Sequence, residues 1–142
     1  MKKKLTARES AAHICSVSRQ TKKTLRTKLL TKGYSSDEAD SAVLAMMELE
    51  YINEAQYARA FVSDSYKIKK HGKIRIGRAL MEKGVPQRII EEAIGNSGVD
   101  EKEIIASELE KRFKTEDNKD KIYRYFLSRG FSSGDIGECI ND

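Results

Sequence analysis

From Thr6 onward, apolar residues recur three or four positions apart along nearly the whole chain, and the polar residues between them carry helix start and stop signals. Thr6-x-x-Glu9 has capping-box spacing and opens a first helix to about Val17. Ser18 is placed to cap a second, Arg19 to Lys32, which Gly33 stops. Ser35-x-x-Glu38 opens a third, to about Glu50, and Asn53-x-x-Gln56 a fourth, interrupted or ended at His71-Gly72. A fifth runs from Lys73 to Lys83 and is stopped by Gly84. Pro86 at a first helical position starts the sixth, Asp100-x-x-Glu103 the seventh, Asp117 or Asn118 the eighth, and Ser133 the ninth. No stretch alternates with period two over the length of a strand, so the pattern predicts an all-α chain of nine helices.

Three of the stops repeat one phrase: Leu29-Leu30-Thr31-Lys32-Gly33-Tyr34, Leu80-Met81-Glu82-Lys83-Gly84-Val85 and Phe126-Leu127-Ser128-Arg129-Gly130-Phe131. Each has two apolar residues, a spacer, a basic residue, glycine and a third apolar residue. Leu25, Ile76 and Ile122 precede each phrase by four positions. Ala39 and Val43, Ile90 and Ile94, and Ile136 and Ile140 follow the glycines at the same two intervals. Glycine suits the left-handed position after a helix, and the basic residue before it complements the helix C-terminus. The expectation is three tandem three-helix repeats stacked into an elongated, curved body: a basic tail at 1–5, then repeats at 6–52, 53–98 and 99–142. Tyr57, Phe61, Tyr123 and Phe126 fall on apolar faces and read as core. Tyr34 and Phe131 read as staples, and Tyr66 and Tyr125 as exposed anchors.

Charge adds a direction to this picture. The chain of 142 residues is 35% charged with a net charge of +5. Residues 1–32 carry ten Lys/Arg against the single acid Glu9, residues 33–84 are balanced, and residues 85–142 carry nine basic against thirteen acidic side chains. The longest apolar run, Ala42 to Met47, is far short of the ~20 residues that span a bilayer. Arg8, Glu9 and His13 break any apolar region behind the basic start. These features predict a cytoplasmic chain with no membrane partner and with reduced thiols at Cys15 and Cys139, too few for a disulfide framework or a four-ligand zinc site. His13 and His71 lack ligand spacing, no phosphate-binding glycine loop is present, and the acid pairs sit at helix starts or on polar faces. The expectation is therefore no enzyme, no metal and no cofactor.

Between Ser65 and Met81 there is no acid, and Lys67, Lys69, Lys70, Lys73, Arg75 and Arg78 form a basic block. On a helix from Lys73, Arg75 and Arg78 share one face while Ile76 and Leu80 point to the core. A second basic face comprises Arg19, Lys22, Lys23 and Arg26. Lys22 and Arg26, like Lys28 and Lys32, are like-charge neighbours four apart with no acid in their own helix to offset them. Either surface suits an acidic groove or phosphates, and a solvated helix face is the plain alternative.

The block from Gly72 to Val85 (Gly72-Lys73-Ile74-Arg75-Ile76-Gly77-Arg78-Ala79-Leu80-Met81-Glu82-Lys83-Gly84-Val85) resembles the G-x-x-R-I-x-x-x-L-x-x-K-G-[IV] signature of the RecX family, regulators of the RecA recombinase. Leu49 to Val62, reading Leu49-Glu50-Tyr51-Ile52-Asn53-Glu54-Ala55-Gln56-Tyr57-Ala58-Arg59-Ala60-Phe61-Val62, is similar to the family's L-x-x-Y-[IL]-[ND]-[DE]-x-x-[YF]-A-x-x-[FY] stretch. The likeness covers roughly residues 6–142. It departs at Ile74, where many members are basic, and at Gly77 inside the helix. The resemblance implies a non-enzymatic protein of three helical repeats that binds the RecA filament on single-stranded DNA and restrains ATP hydrolysis, strand exchange or coprotease activity. The basic faces add an expectation of weak direct DNA contact, and apolar stripes consumed by stacking between repeats predict a monomer. The competing reading is a helical nucleic-acid-binding module acting on phosphates, and a third is a plain adaptor kept soluble by its charges.

Overall fold

The computed structural model describes residues 4–141. Among the described residues the regular elements are all helices, with no strand: α1 (Ala7–Val17), α2 (Lys22–Thr31), α3 (Ser36–Glu48), α4 (Glu54–Asp64), α5 (Lys73–Glu82), α6 (Gln87–Gly95), α7 (Glu101–Arg112), α8 (Lys119–Ser128) and α9 (Ser133–Asn141), with a π-helical turn, Ser65–Lys69, after α4. Capping boxes at Thr6 and Ser35 open α1 and α3, and Asn53, Asp100 and Asn118 accept backbone N–H groups at the starts of α4, α7 and α8.

The three glycine turns are one structure. Gly33, Gly84 and Gly130 have φ of 99°, 87° and 94°. In each, the glycine N–H donates to the carbonyl three residues back, and the next residue's N–H reaches five back: Tyr34 to Leu29, Val85 to Leu80, Phe131 to Phe126. These are Schellman caps. Tyr34, Val85 and Phe131 are buried as staples on the turns they close. The second apolar residue of each phrase lies outside the buried core: Leu30 is partly buried, while Met81 and Leu127 are exposed.

Three cores follow. Ala11, Leu25, Leu29, Ala39 and Met46 anchor the first, among α1, α2 and α3. Ala58, Val62, Ile76, Leu80 and Ile90 anchor the second, and Ile105, Ile122, Phe126, Phe131 and Ile136 the third. The accessible surface is 9342 Å², against roughly 7,400 Å² for a compact protein of this mass, as an extended array of small units requires.

Several local expectations shift. α2 is capped by Thr21, so Arg19 precedes the helix. Thr21 is the better cap because buried Gln20 accepts from Thr24 and the Thr21 hydroxyl is itself held by a neighbouring unit. Pro86 is the cap of α6, in extended backbone (φ −62°, ψ 147°), rather than its first helical residue. α3 stops at Glu48, and Glu50 takes a left-handed conformation. Residues 1–3 of the expected tail lie outside the described residues; Lys4 places its ammonium over the Tyr34 ring and Leu5 O accepts from the Tyr34 hydroxyl.

Candidate partner-binding surface

The units join by a repeated contact that decides where the basic block sits. The Glu that begins the first helix of one unit accepts the N–H that begins the second helix of the unit before it: Glu54 from Lys22, at 3.4 Å, and Glu101 from Lys73, at 3.1 Å. The cap of that same second helix lies on the glycine turn of the following unit. Thr21 donates its hydroxyl to Lys83 O, and Gly72 donates its backbone N–H to Arg129 O at 2.8 Å while Ile74 N–H reaches Gly130 O. The positive N-terminus of α5 is thus set on the electronegative C-terminal turn of α8, and that of α2 on the turn of α5.

Reaching this position takes a longer link in the second unit than in the first. The chain runs on from α4 through the π-helical turn and reverses at Lys70 in left-handed conformation (φ 56°). Tyr66 is carried inward by that turn. It is buried rather than an exposed anchor, and its hydroxyl donates to Glu101 at 2.7 Å. Burial first, and then the Glu101 carboxylate, push its phenol well above the usual range. Tyr125 is also engaged, edge-on to Phe113 and Phe126 with the Arg112 and Arg129 guanidinium groups over its ring.

The six expected cations divide into groups. Arg75 and Arg78 come together on the exposed face of α5 and line one groove of about 490 Å³ with Ile74, Glu82, Leu127 and Ser128. Arg75 donates to Ser128 O at 3.1 Å, closing the C-terminal end of α8. Lys69 lies over the Phe61 ring, Lys70 stands at the reversal, and Lys73 begins α5. Lys67 turns away to a recess shared with Arg59 and Asn96. None of the ion pairs among the described residues involves any of the six. The half-buried His71 senses the positive field: burial, then Arg75, Arg129 and Lys69, hold its imidazole below the ordinary value. Glu82, Leu127 and Ser128 were not legible as groove residues, because two come from another unit and the acid lies beyond the acid-free stretch.

The second basic face is half offset. Lys22 pairs with Glu54 at 3.8 Å and Arg26 with Asp40 at 2.7 Å, so the missing acids come from α4 and α3. The Lys23 stem is laid along the Gly84 turn, where a Cβ on Gly84 would stand 2.7 Å from Lys23 Cβ. Among the described residues no cluster of three or more His, Cys, Asp or Glu is placed to hold a metal, and no helix is long and apolar enough to cross a membrane.

Comparison with known proteins gives a consistent picture. Residues 53–94 match the family model described as RecX, second three-helix domain. A regulatory protein RecX of Clostridium botulinum is 31% identical, over 97% of this chain and 68% of the relative, and one from Caldanaerobacter subterraneus is 29% identical, over 95% and 69%. The crystal structure of RecX from Lactobacillus salivarius superposes with a TM-score of 0.77 at 23% identity, covering 95% of this chain and 92% of that one. A second crystal structure of regulatory protein RecX gives 0.82 at 17% identity, covering 96% and 70%.

Proposed function

Because the chain belongs to the RecX family of regulatory proteins, we propose that it is a non-enzymatic cytoplasmic regulator that binds the RecA filament on single-stranded DNA and restrains its recombinase, ATPase and coprotease activities. The observation that carries this reading is the exposed run of cations around the start of α5, with Arg75 and Arg78 side by side in one groove and no carboxylate paired to them. A carboxylate-lined groove would supply the missing countercharge, and Arg geometry favours bidentate pairing with carboxylates. Lys69, Lys70 and Lys73 extend the contact along the corner, and Lys67 would reach it only from the opposite side. Three units in series offer separate faces with which to touch more than one protomer. A monomer bridging neighbours biases their relative arrangement and hence the ATP sites between them. The acidic third unit then meets a basic patch on another protomer.

The test is co-sedimentation with RecA on single-stranded DNA, with and without nucleotide, alongside RecA ATPase assays. Arg78→Glu, alone and with Arg75→Gln, should abolish inhibition while circular dichroism and thermal unfolding stay unchanged. Undiminished inhibition by the folded double variant would overturn the assignment. Tight, steeply salt-dependent binding to bare DNA, equal to filament binding, would favour direct action on phosphates instead.

A further inference from the structure

The three units differ in what fills the space between their first and second helices. In the third unit Phe113, on the link after α7, packs edge-on against Tyr125 at 5.2 Å and Phe126 at 6.0 Å between ring centroids. In the second, the Lys69 ammonium, carried by the π-helical turn, lies over the Phe61 ring at 5.7 Å from its centroid. Counted back from the glycines, Tyr125 and Phe126 hold the positions of Lys28 and Leu29 in the first unit. There the link from α1 to α2 is shorter, with caps fifteen residues apart instead of nineteen and eighteen. It supplies no counterpart of Phe113. An open groove of about 410 Å³ remains, with Ile14 and Val17 on one wall, Thr27 and Thr31 on the other, and Lys28 and Lys32 at the rim.

Two features point to an occupant. Val17 is 72% exposed, an apolar side chain left facing water on the groove wall. Lys28 and Lys32 face the electronegative C-terminal turn of α2 but repel one another at i,i+4, no ion pair among the described residues involves either, and no acid lines the groove. We propose that this groove docks an acidic peptide segment of a partner protein, its aromatic side chain entering where Phe113 sits in the third unit and its carboxylates meeting Lys28 and Lys32. The site lies on a different unit from Arg75 and Arg78, so it goes beyond the filament contact proposed above.

A fluorescein-labelled peptide, Asp-Glu-Glu-Phe-Asp-Glu-Leu-Asp, titrated into the full chain should bind saturably by anisotropy and shift the Ile14 and Val17 methyl resonances. Val17→Asp and Lys28→Glu, both at exposed positions, should each weaken binding at least tenfold, and replacing the peptide's Phe by Ala should do the same. Binding unaffected by either variant, or methyl shifts produced by a single-stranded oligonucleotide or by raising the concentration of the chain but not by the peptide, would overturn the proposal.

Discussion

The joint between the first and second units and the joint between the second and third use the same register with different atoms. At the first, position 21 is Thr, and the contact with Lys83 O runs through its side-chain hydroxyl. At the second, the equivalent position is Gly72, and the backbone N–H itself reaches Arg129 O. Removing the side chain lets two backbones meet: a Cβ on Gly72 would stand 2.5 Å from Gly130 O, and one on Gly130 would meet Arg75 Cβ and N. The acids differ likewise. Glu101 is buried and accepts from both Tyr66 and Lys73 N–H, whereas Glu54 makes a longer bond to Lys22 N–H beside a half-exposed ammonium. One repeated geometry is thus built once with backbone against backbone and once through a side-chain hydroxyl and a longer carboxylate bond.

The sharpest way to break this contrast is Gly72→Ala. It should destabilise by about 3 kcal/mol and remove hydrogen-exchange protection from residues 99–141 before the first unit is affected. Gly72→Ala with protection intact would mean that the close approach is dispensable. Glu101→Ala leaves the Tyr66 hydroxyl and Lys73 N–H unpaired in a buried place, and a loss of about 2 kcal/mol is expected by urea unfolding. Glu54→Ala, its counterpart, should cost less, about 1 kcal/mol, because its partner Lys22 keeps half its side chain in water. Thr21→Val removes both the cap and the hydroxyl bond to Lys83 and should cost about 1 kcal/mol, loosening only the first joint.

The smallest effect is one of pH. His71 is depressed in the folded chain, so below about pH 6.5 the unfolded chain binds the proton more readily. Stability should therefore decline as pH falls through that value, and His71→Gln should flatten the decline in urea midpoints between pH 7.5 and 5.5.

Much of the fold was legible because its rules are local. The glycine turns need only a small residue, a preceding cation and a following apolar staple, and all three close in the same way. Arg75 and Arg78 share a face by helical spacing alone. What failed depended on other units. Ser18 and Thr21 are both competent caps, and the bond to Lys83, 62 residues away, adds to the local bonds that favour Thr21. Tyr66 looked like an exposed aromatic on a basic stretch. It is buried because a π-helical turn carries it to Glu101, 35 residues on, and neither partner announces the other. The open groove in the first unit was hidden for a related reason: it is the product of a shorter link, visible only when the three links are superposed.

The unequal joints also set how the molecule can bend. Backbone bonds join the last two units at Gly72, while a side-chain hydroxyl bridges the first two at Thr21, so a stiffer second joint would leave any bending of the chain to the first.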